Sequence, residues 1–329
     1  MTIVVVGAGS WGTTVAALAS ANAPTVLWAR RRELADEIDS AHTNSSYLAG
    51  HELPAALRAT SDLAAAVGSA DVLVMGVPSH GFREIAAAAA PHLRPGVPIV
   101  SLAKGLEQGT LLRMSEVGAA EFPGHPVGVL TGPNLAAEIL AGQPAASVIA
   151  FDDQAVAVEL QELLGAPTLR IYTNPDVVGC ELAGVVKNVI AIAAGMCDGM
   201  GFGDNSKATL ITRGLTEMAR LGIAMGAHPL TFGGLAGLGD LVATCASARS
   251  RNNSVGRALG QGRSIDEIVA SMNMVAEGVK SSPSVLELAR RHDVEMPIVE
   301  QVAAVCAGES DARGALSALM TRAHRAEGL

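Results

Sequence analysis

The sequence predicts two domains: an α/β domain with a mostly parallel sheet over residues 1–178, and an all-helical domain over residues 179–329. Three observations predict this. Short β-branched runs alternate with helical patterns through the first half, the signature of a parallel sheet with helices on both faces. A glycine-rich turn joins the first strand to the first helix. After about residue 178 the strand-like runs stop, and apolar residues recur at helical spacing instead.

The elements follow in order. "TIVVVGAGSWG" is a β-branched strand running into glycines, and "TTVAALASANA" has helical spacing. "TVLWAR" is a second strand. Further apolar runs lie at 71–79, 97–105, 127–134, 146–151 and 168–174, each ended by turn residues, with helical patterns such as "HGFREIAAAAAPHL" between several of them. Beyond the boundary, placed near 175–180, "VVGCELAGVVKNVIAIAAGMC", "SKATLITRGLTEMARLGIAMG", "SIDEIVASM" and "SSPSVLELARRH" read as helices. A last short helix has a frayed, polar end.

Composition narrows the class. With 329 residues, 49% hydrophobic and 17% charged, the chain can build a sizeable core, which excludes a disordered protein. The mean hydropathy of +0.34 comes largely from alanine and the short strand runs. The longest apolar run contains Glu181 and Lys187, so no transmembrane segment is expected. A net charge of −9 argues against nucleic acid. Cys180, Cys197, Cys245 and Cys306 show no metal-ligand spacing and read as buried thiols of a reducing cytoplasm, with no metal. The strand beginning at Thr2 leaves no room for a signal peptide.

Gly7, Gly9 and Gly12 form G-x-G-x-x-G between a strand and a helix. The first glycine permits the tight turn, the second lets the backbone approach a pyrophosphate, and the third lets helix and strand pack closely. The helix N-terminus then offers N–H groups to the phosphates. The second strand, where an acid would bind a ribose 2′-OH, ends instead in Arg30, Arg31 and Arg32. Arginines suit a 2′-phosphate, so the pattern favours NADP(H), with NAD(H) as the alternative.

Several unusual residues fall at strand ends, where ligands of open α/β sheets bind. They are Pro78, Lys104, and the trio Gly132, Pro133 and Asn134. Arginine is the usual cation of this chain; lysine occurs only at 104, 187, 207 and 280. Lys187 sits inside the apolar helix "ELAGVVKNVIAIAAG". Its helical neighbours Ala183, Gly184 and Ala191 are small, leaving a slot beside the stem. Burial disfavours an ammonium, so such a lysine is poised to exchange a proton; a snorkelling or ion-paired structural lysine is the alternative. Asp240, in "GLAGLGDLVATC", reads as a helix N-cap, as a carboxylate orienting the lysine, or as both. Arg251 and Asn252 offer a guanidinium fork and an amide suited to a phosphate, or a surface loop.

With "GAGSWGT", "VPS", "KGLE", "GPN", "ELAGVVKNVIAIAAG", "ITRGLTE", "GLAGLGDLVATC" and "SRNNSVG" in this order, the chain closely resembles bacterial NAD(P)-dependent glycerol-3-phosphate dehydrogenases over nearly its whole length. The resemblance implies a Rossmann-like N-terminal domain, a helical substrate domain and a homodimer. It also implies interconversion of dihydroxyacetone phosphate and sn-glycerol 3-phosphate for phospholipid synthesis. It casts Lys187 as proton donor and acceptor, with Asp240 and Lys104 beside it in the catalytic set. Substrate contacts then fall to Lys104, Gly132, Asn134, Lys187, Asp240, Ser250, Arg251 and Asn252. The family commonly carries serine or threonine where this chain has Asn134. Cofactor contacts fall to Gly7, Gly9, Ser10, Trp11, Gly12, Arg31, Arg32, Lys104, Ala136, Arg251, Val275 and Glu277. Two other classes share part of the pattern: reductases of similar build that act on ketopantoate or 6-phosphogluconate, and a non-catalytic NADPH sensor. The "GLGDL…TC…SRN" cluster speaks against the first, and a buried lysine beside an aspartate against the second.

Overall fold

A computed structural model describes residues 1–272 and 276–323. The chain forms two compact units: residues 1–107 with 112–177, and residues 178–329 with the short segment 108–111.

The first unit is built on eight strands: β1 (Ile3–Val6), β2 (Thr25–Trp28), β3 (Arg58–Thr60), β4 (Val72–Met75), β5 (Ile99–Ser101), β6 (Val127–Thr131), β7 (Ala145–Ala150) and β8 (Leu169–Asn174). They form one sheet in the order β3-β2-β1-β4-β5-β6-β7-β8. All neighbours from β3 to β6 are parallel, β7 turns antiparallel to β6, and β8 runs parallel to β7. The order reverses between β1 and β4, the switch point at which sheets of this kind bind ligands. Alternation along β1 explains the two layers. Ile3 and Val5 pack into one apolar cluster and Val4 and Val6 into another, so both faces of the sheet are buried. The covering helices are α1 (Ser10–Ala19), α2 (Arg32–Ala41), α3 (Leu63–Gly68), α4 (Ser79–Ala89), α5 (Met114–Glu121), α6 (Ala136–Leu140) and α7 (Gln154–Leu164).

The expected mostly parallel sheet with helices is present. β3 is the strand that sequence reading missed. It has three residues and lies at the sheet edge, too short to show an alternating pattern.

The second unit is helical: α8 (Val177–Gly199), α9 (Asp204–Ala224), α10 (Pro229–Gly233), α11 (Asp240–Ala246), α12 (Arg251–Gly260), α13 (Ile265–Ala270), α14 (Glu277–Arg291), α15 (Pro297–Cys306) and α16 (Ala312–Met320). The polar end expected after the last helix lies largely outside the described residues. By length and composition α8 is apolar enough to cross a membrane, yet 94% of its most apolar window is buried inside the protein, the place of a core helix. Glycines explain how closely it packs. Gly195 and Gly199 of α8 lie on the backbone of α12, and Gly256 and Gly260 of α12 lie on the backbone of α8. A Cβ at any of the four would collide with main-chain atoms of the other helix. The two helices therefore meet backbone to backbone along two glycine pairs spaced by four residues, and this sets the height of the α12 N-terminus beside α8.

Candidate active site

In the first unit, β1 leads through the glycine turn into α1. Gly7 has φ +117°, and a Cβ there would lie 2.6 Å from the Gly76 carbonyl oxygen at the end of β4. Gly12 packs against the Gly7 carbonyl. Gly9 is different: a Cβ there would meet nothing within 4 Å, so its backbone borders open space. Gly9 also precedes α1 without any side-chain cap. Nearby, the buried indole Nε1 of Trp11 has no hydrogen-bond partner. A bare backbone, an uncapped helix start and an orphaned donor fit an anionic dinucleotide. Ser10 Oγ donates to Tyr47 O (3.0 Å), and the buried Asn44 amide donates to Ala8 O (3.0 Å) and Thr13 Oγ1 (2.9 Å). These bonds tie the segment after α2 to the glycine turn. Thr14 Oγ1 lies 3.3 Å from Ala136 O, which brings the start of α6 to the same helix.

Arg30, Arg31 and Arg32 are exposed just beyond β2. Arg31 donates to Ser46 Oγ (3.1 Å), and its guanidinium lies 6.0 Å from the Tyr47 ring centroid. Arg32 faces Asp36 at 3.7 Å across an exposed helix face. Among the three, Arg31 is thus the one directed toward the segment that closes over the glycine turn.

The ends of β5 and β6 hold a second group. Lys104 Nζ donates to Gly132 O (2.9 Å). Gly132 has φ +132°, and a Cβ there would press on Ser147 Cα of β7. Ser147 Oγ donates to Asn134 Oδ1 (2.5 Å), which turns the amide Nδ2 away; that nitrogen is buried without a partner. Lys104, Gly132 and Asn134 therefore lie together at the ends of β5 and β6.

The second unit contains the central cluster. Lys187 Nζ lies 2.9 Å from Asp240 Oδ1 and 2.7 Å from Thr244 Oγ1. Lys187 is 7% exposed and Asp240 2%. The lysine is therefore buried and ion-paired at once. Asp240 opens α11 directly after a π-helical turn at Leu235–Gly239, a backbone feature enriched at functional sites. One helical turn on, Thr244 donates to Asp240 O (2.6 Å). Sequence reading did not single out Thr244, although its i+4 spacing from Asp240 was the available signal. Behind the cluster, burial pushes the Cys245 thiol up to about 12, leaving it an inert packing group.

The "SRN" residues form the start of α12. Ser250 is its cap, its Oγ accepting from Asn253 N (3.2 Å), and Arg251 is exposed at the first helical position. Asn252 is buried. Its Nδ2 donates to Asn188 Oδ1 (2.9 Å) and its Oδ1 accepts from Gly278 N (2.9 Å). Its amide is thus engaged inside the unit, which a surface loop would not explain. Glu277 opens α14 beside Gly278. Val275 lies outside the described residues. Among the described residues, no group of His, Cys, Asp and Glu could hold a metal ion.

A doubly wound sheet with a bare glycine turn, and a helical unit with a buried lysine–carboxylate pair, define the class: a nicotinamide-nucleotide-dependent oxidoreductase. Two family models match successive parts of the chain, the N-terminus of NAD-dependent glycerol-3-phosphate dehydrogenase over residues 2–157 and its C-terminus over residues 176–317. The chain belongs to the NAD-dependent glycerol-3-phosphate dehydrogenase family. It is 57% identical over 314 residues to glycerol-3-phosphate dehydrogenase [NAD(P)+] 2 of Sphingopyxis alaskensis, covering 95% of this chain and 94% of that one. It is 53% identical to the Mycobacterium avium enzyme of the same name, covering 92% and 89%. The crystal structure of glycerol-3-phosphate dehydrogenase from Coxiella burnetii superposes with a TM-score of 0.93 at 37% identity, over 98% of this chain and 99% of that one. A ketopantoate reductase from Ralstonia eutropha shares only the fold, at 18% identity and a TM-score of 0.60 over 93% and 97% of the two chains.

Proposed function

We propose that this chain reduces dihydroxyacetone phosphate to sn-glycerol 3-phosphate, reversibly and with NADP(H) preferred over NAD(H), supplying glycerophospholipid synthesis. The observation that carries the reading is the buried Lys187–Asp240–Thr244 cluster in a chain of this family. The bound nicotinamide supplies the hydride. Lys187 supplies the proton. An ammonium has three hydrogens, and in Lys187 two are taken up by Asp240 and Thr244. The third is left for the carbonyl oxygen of the substrate, which gains negative charge as hydride reaches its carbon. The 2.9 Å contact with Asp240 aims the ammonium before transfer. The Thr244 hydroxyl fixes its direction, and water returns the proton to Lys187 before the next turnover.

In the first unit, Lys104, Gly132 and Asn134 offer an ammonium, a carbonyl and an amide for the substrate. Ser250, Arg251 and Asn252 form a helix start that suits its phosphate. Gly7, Gly9, Gly12, Ser10, Trp11, Ala136 and Glu277 are assigned to the dinucleotide. An assay of NADPH absorbance at 340 nm with dihydroxyacetone phosphate tests the reading. Turnover with this substrate, and none with ketopantoate, is expected; the reverse would overturn it.

Cofactor choice is assigned to Arg31, supported by its direction toward Ser46 and Tyr47. Replacing Arg31 by Ala is expected to raise KM for NADPH about tenfold, the loss of one charge-assisted bond, and KM for NADH by less than about twofold. Equal changes would count against a 2′-phosphate contact. We further propose that the enzyme acts in the cytoplasm, a reading supported by its four free cysteines, and as a homodimer. Sedimentation at twice the chain mass of 33.4 kDa is expected, and a monomer at micromolar concentration would refute the dimer.

A further inference from the structure

Two consecutive amides at the start of α12 hold the two helices that carry the Lys187 cluster. Asn252 donates to Asn188, the residue after Lys187 on α8. Asn253 donates to the carbonyl of Cys245 (3.0 Å), the residue after Thr244 on α11. Asn253 Nδ2 also reaches Asp198 Oδ2 (3.2 Å), near the C-terminal end of α8. Its own Oδ1 is buried without a partner. Both groups facing the amide nitrogen are acceptors, so its orientation is set by donation alone. Asn253 is 1% exposed, and Gly195 of α8 lies against its main-chain carbonyl, so it cannot shift along α8 without a backbone clash.

The far anchor is itself braced. Asp198 Oδ1 lies 2.5 Å from Lys207 Nζ of α9, and Asp198 Oδ2 lies 3.7 Å from Arg257 of α12. Burial raises the Asp198 carboxyl, but the Lys207 ammonium and the Asn253 amide outweigh it and hold the group below the usual carboxylate range. Asp198 is therefore an ionised anchor. One side chain, Asn253, thus links α11, the helix of Asp240 and Thr244, to α8, the helix of Lys187.

We propose that Asn253 is a positioning residue for proton transfer: by joining the Cys245 carbonyl to Asp198 it sets where Thr244 and Asp240 meet Lys187. This rests on the function proposed above. It assigns a role to the residue immediately after the "SRN" motif, which sequence reading left without one.

The test uses the full chain with Asn253→Leu, which removes the donor at similar size, and Asn253→Asp, which removes it while keeping the shape. Steady-state constants are measured from pH 5.5 to 9 with dihydroxyacetone phosphate and NADPH, alongside NADPH deuterated at the transferred position and thermal midpoints. In both variants kcat is expected to fall about tenfold or more, while KM for NADPH stays within about twofold. The deuterium isotope effect on kcat is expected to rise, because a misplaced acid slows the chemical step. In Asn253→Asp, part of the loss is expected to disappear as pH falls, relative to the unaltered enzyme, because a protonated carboxyl donates again. Asn253→Leu should show no such recovery. A role in stability alone would lower the thermal midpoint and leave kcat per folded enzyme and the isotope effect unchanged; that result overturns the inference. Should Asn253→Leu not fold, Asn253→Asp decides on the same criteria. Absence of turnover by the unaltered enzyme overturns the parent reading, and this inference with it, before any variant is compared.

Discussion

Lys187 is held by two different kinds of partner. Asp240 supplies charge, and Thr244 supplies direction. Removing one partner of a buried pair leaves the other uncompensated, so Asp240 is a poor place to separate catalysis from folding. Thr244 is a better one. Thr244→Val keeps the shape and removes only the hydroxyl. We predict a fall in kcat of about tenfold or more, with KM for NADPH unchanged, because the acid loses its alignment but not its charge. An unchanged kcat would show that Asp240 alone aligns Lys187. The lysine itself was legible in the sequence, because an ammonium amid small apolar neighbours is costly without a purpose. Its threonine partner was not. Its signal was the i+4 spacing from Asp240, and that spacing alone does not show which face of α11 meets Lys187.

Among the longest helices, legibility followed apolar periodicity, although the apolar α15 was also missed. Sequence reading found α8 and α9, where apolar residues recur over many turns. It missed α12, whose "RNNSVGRALG" is too polar to show a stripe and packs through glycines instead. It placed the start of α14 at Ser281, whereas the helix begins at Glu277. Pro283 lies within the helix and masks the earlier turn. A further contact between helices was invisible for the same reason. Glu217 of α9 is buried, and its carboxylate accepts the Ile298 (2.8 Å) and Val299 (3.2 Å) N–H groups at the start of α15. Burial pushes Glu217 from 4.5 up to about 7, against the opposing pull of those two N–H groups, Arg220 and Arg213. The sign follows from proton linkage. Folded protein binds the proton more tightly than unfolded chain, so the contribution is present below about pH 4.5 and is lost as pH rises through about 7. A shift of this size corresponds to about 3 kcal/mol. We therefore predict that stability relative to Glu217→Gln falls between pH 4.5 and 7.5, read from urea unfolding. Parallel pH profiles for the two proteins would refute it.

At the scale of the molecule, each unit has its own logic. The first follows the alternation of strands and helices, and its strand order puts the glycine turn of β1 beside the switch point at β4. The second is organised around α8, a helix apolar enough for a membrane that instead forms a core and carries Glu181 and Lys187 into it. Lys187 is proposed as the acid of the reaction, apart from the residues assigned to the nucleotide, most of which lie in the first unit. Lys187→Ala tests this division directly. The account predicts a folded protein that binds NADPH with an unaltered Kd, read by fluorescence titration. It also predicts a kcat with dihydroxyacetone phosphate lowered by about a thousandfold, within the range of a lost general acid. A folded Lys187→Ala protein with turnover close to that of the unaltered enzyme would contradict it.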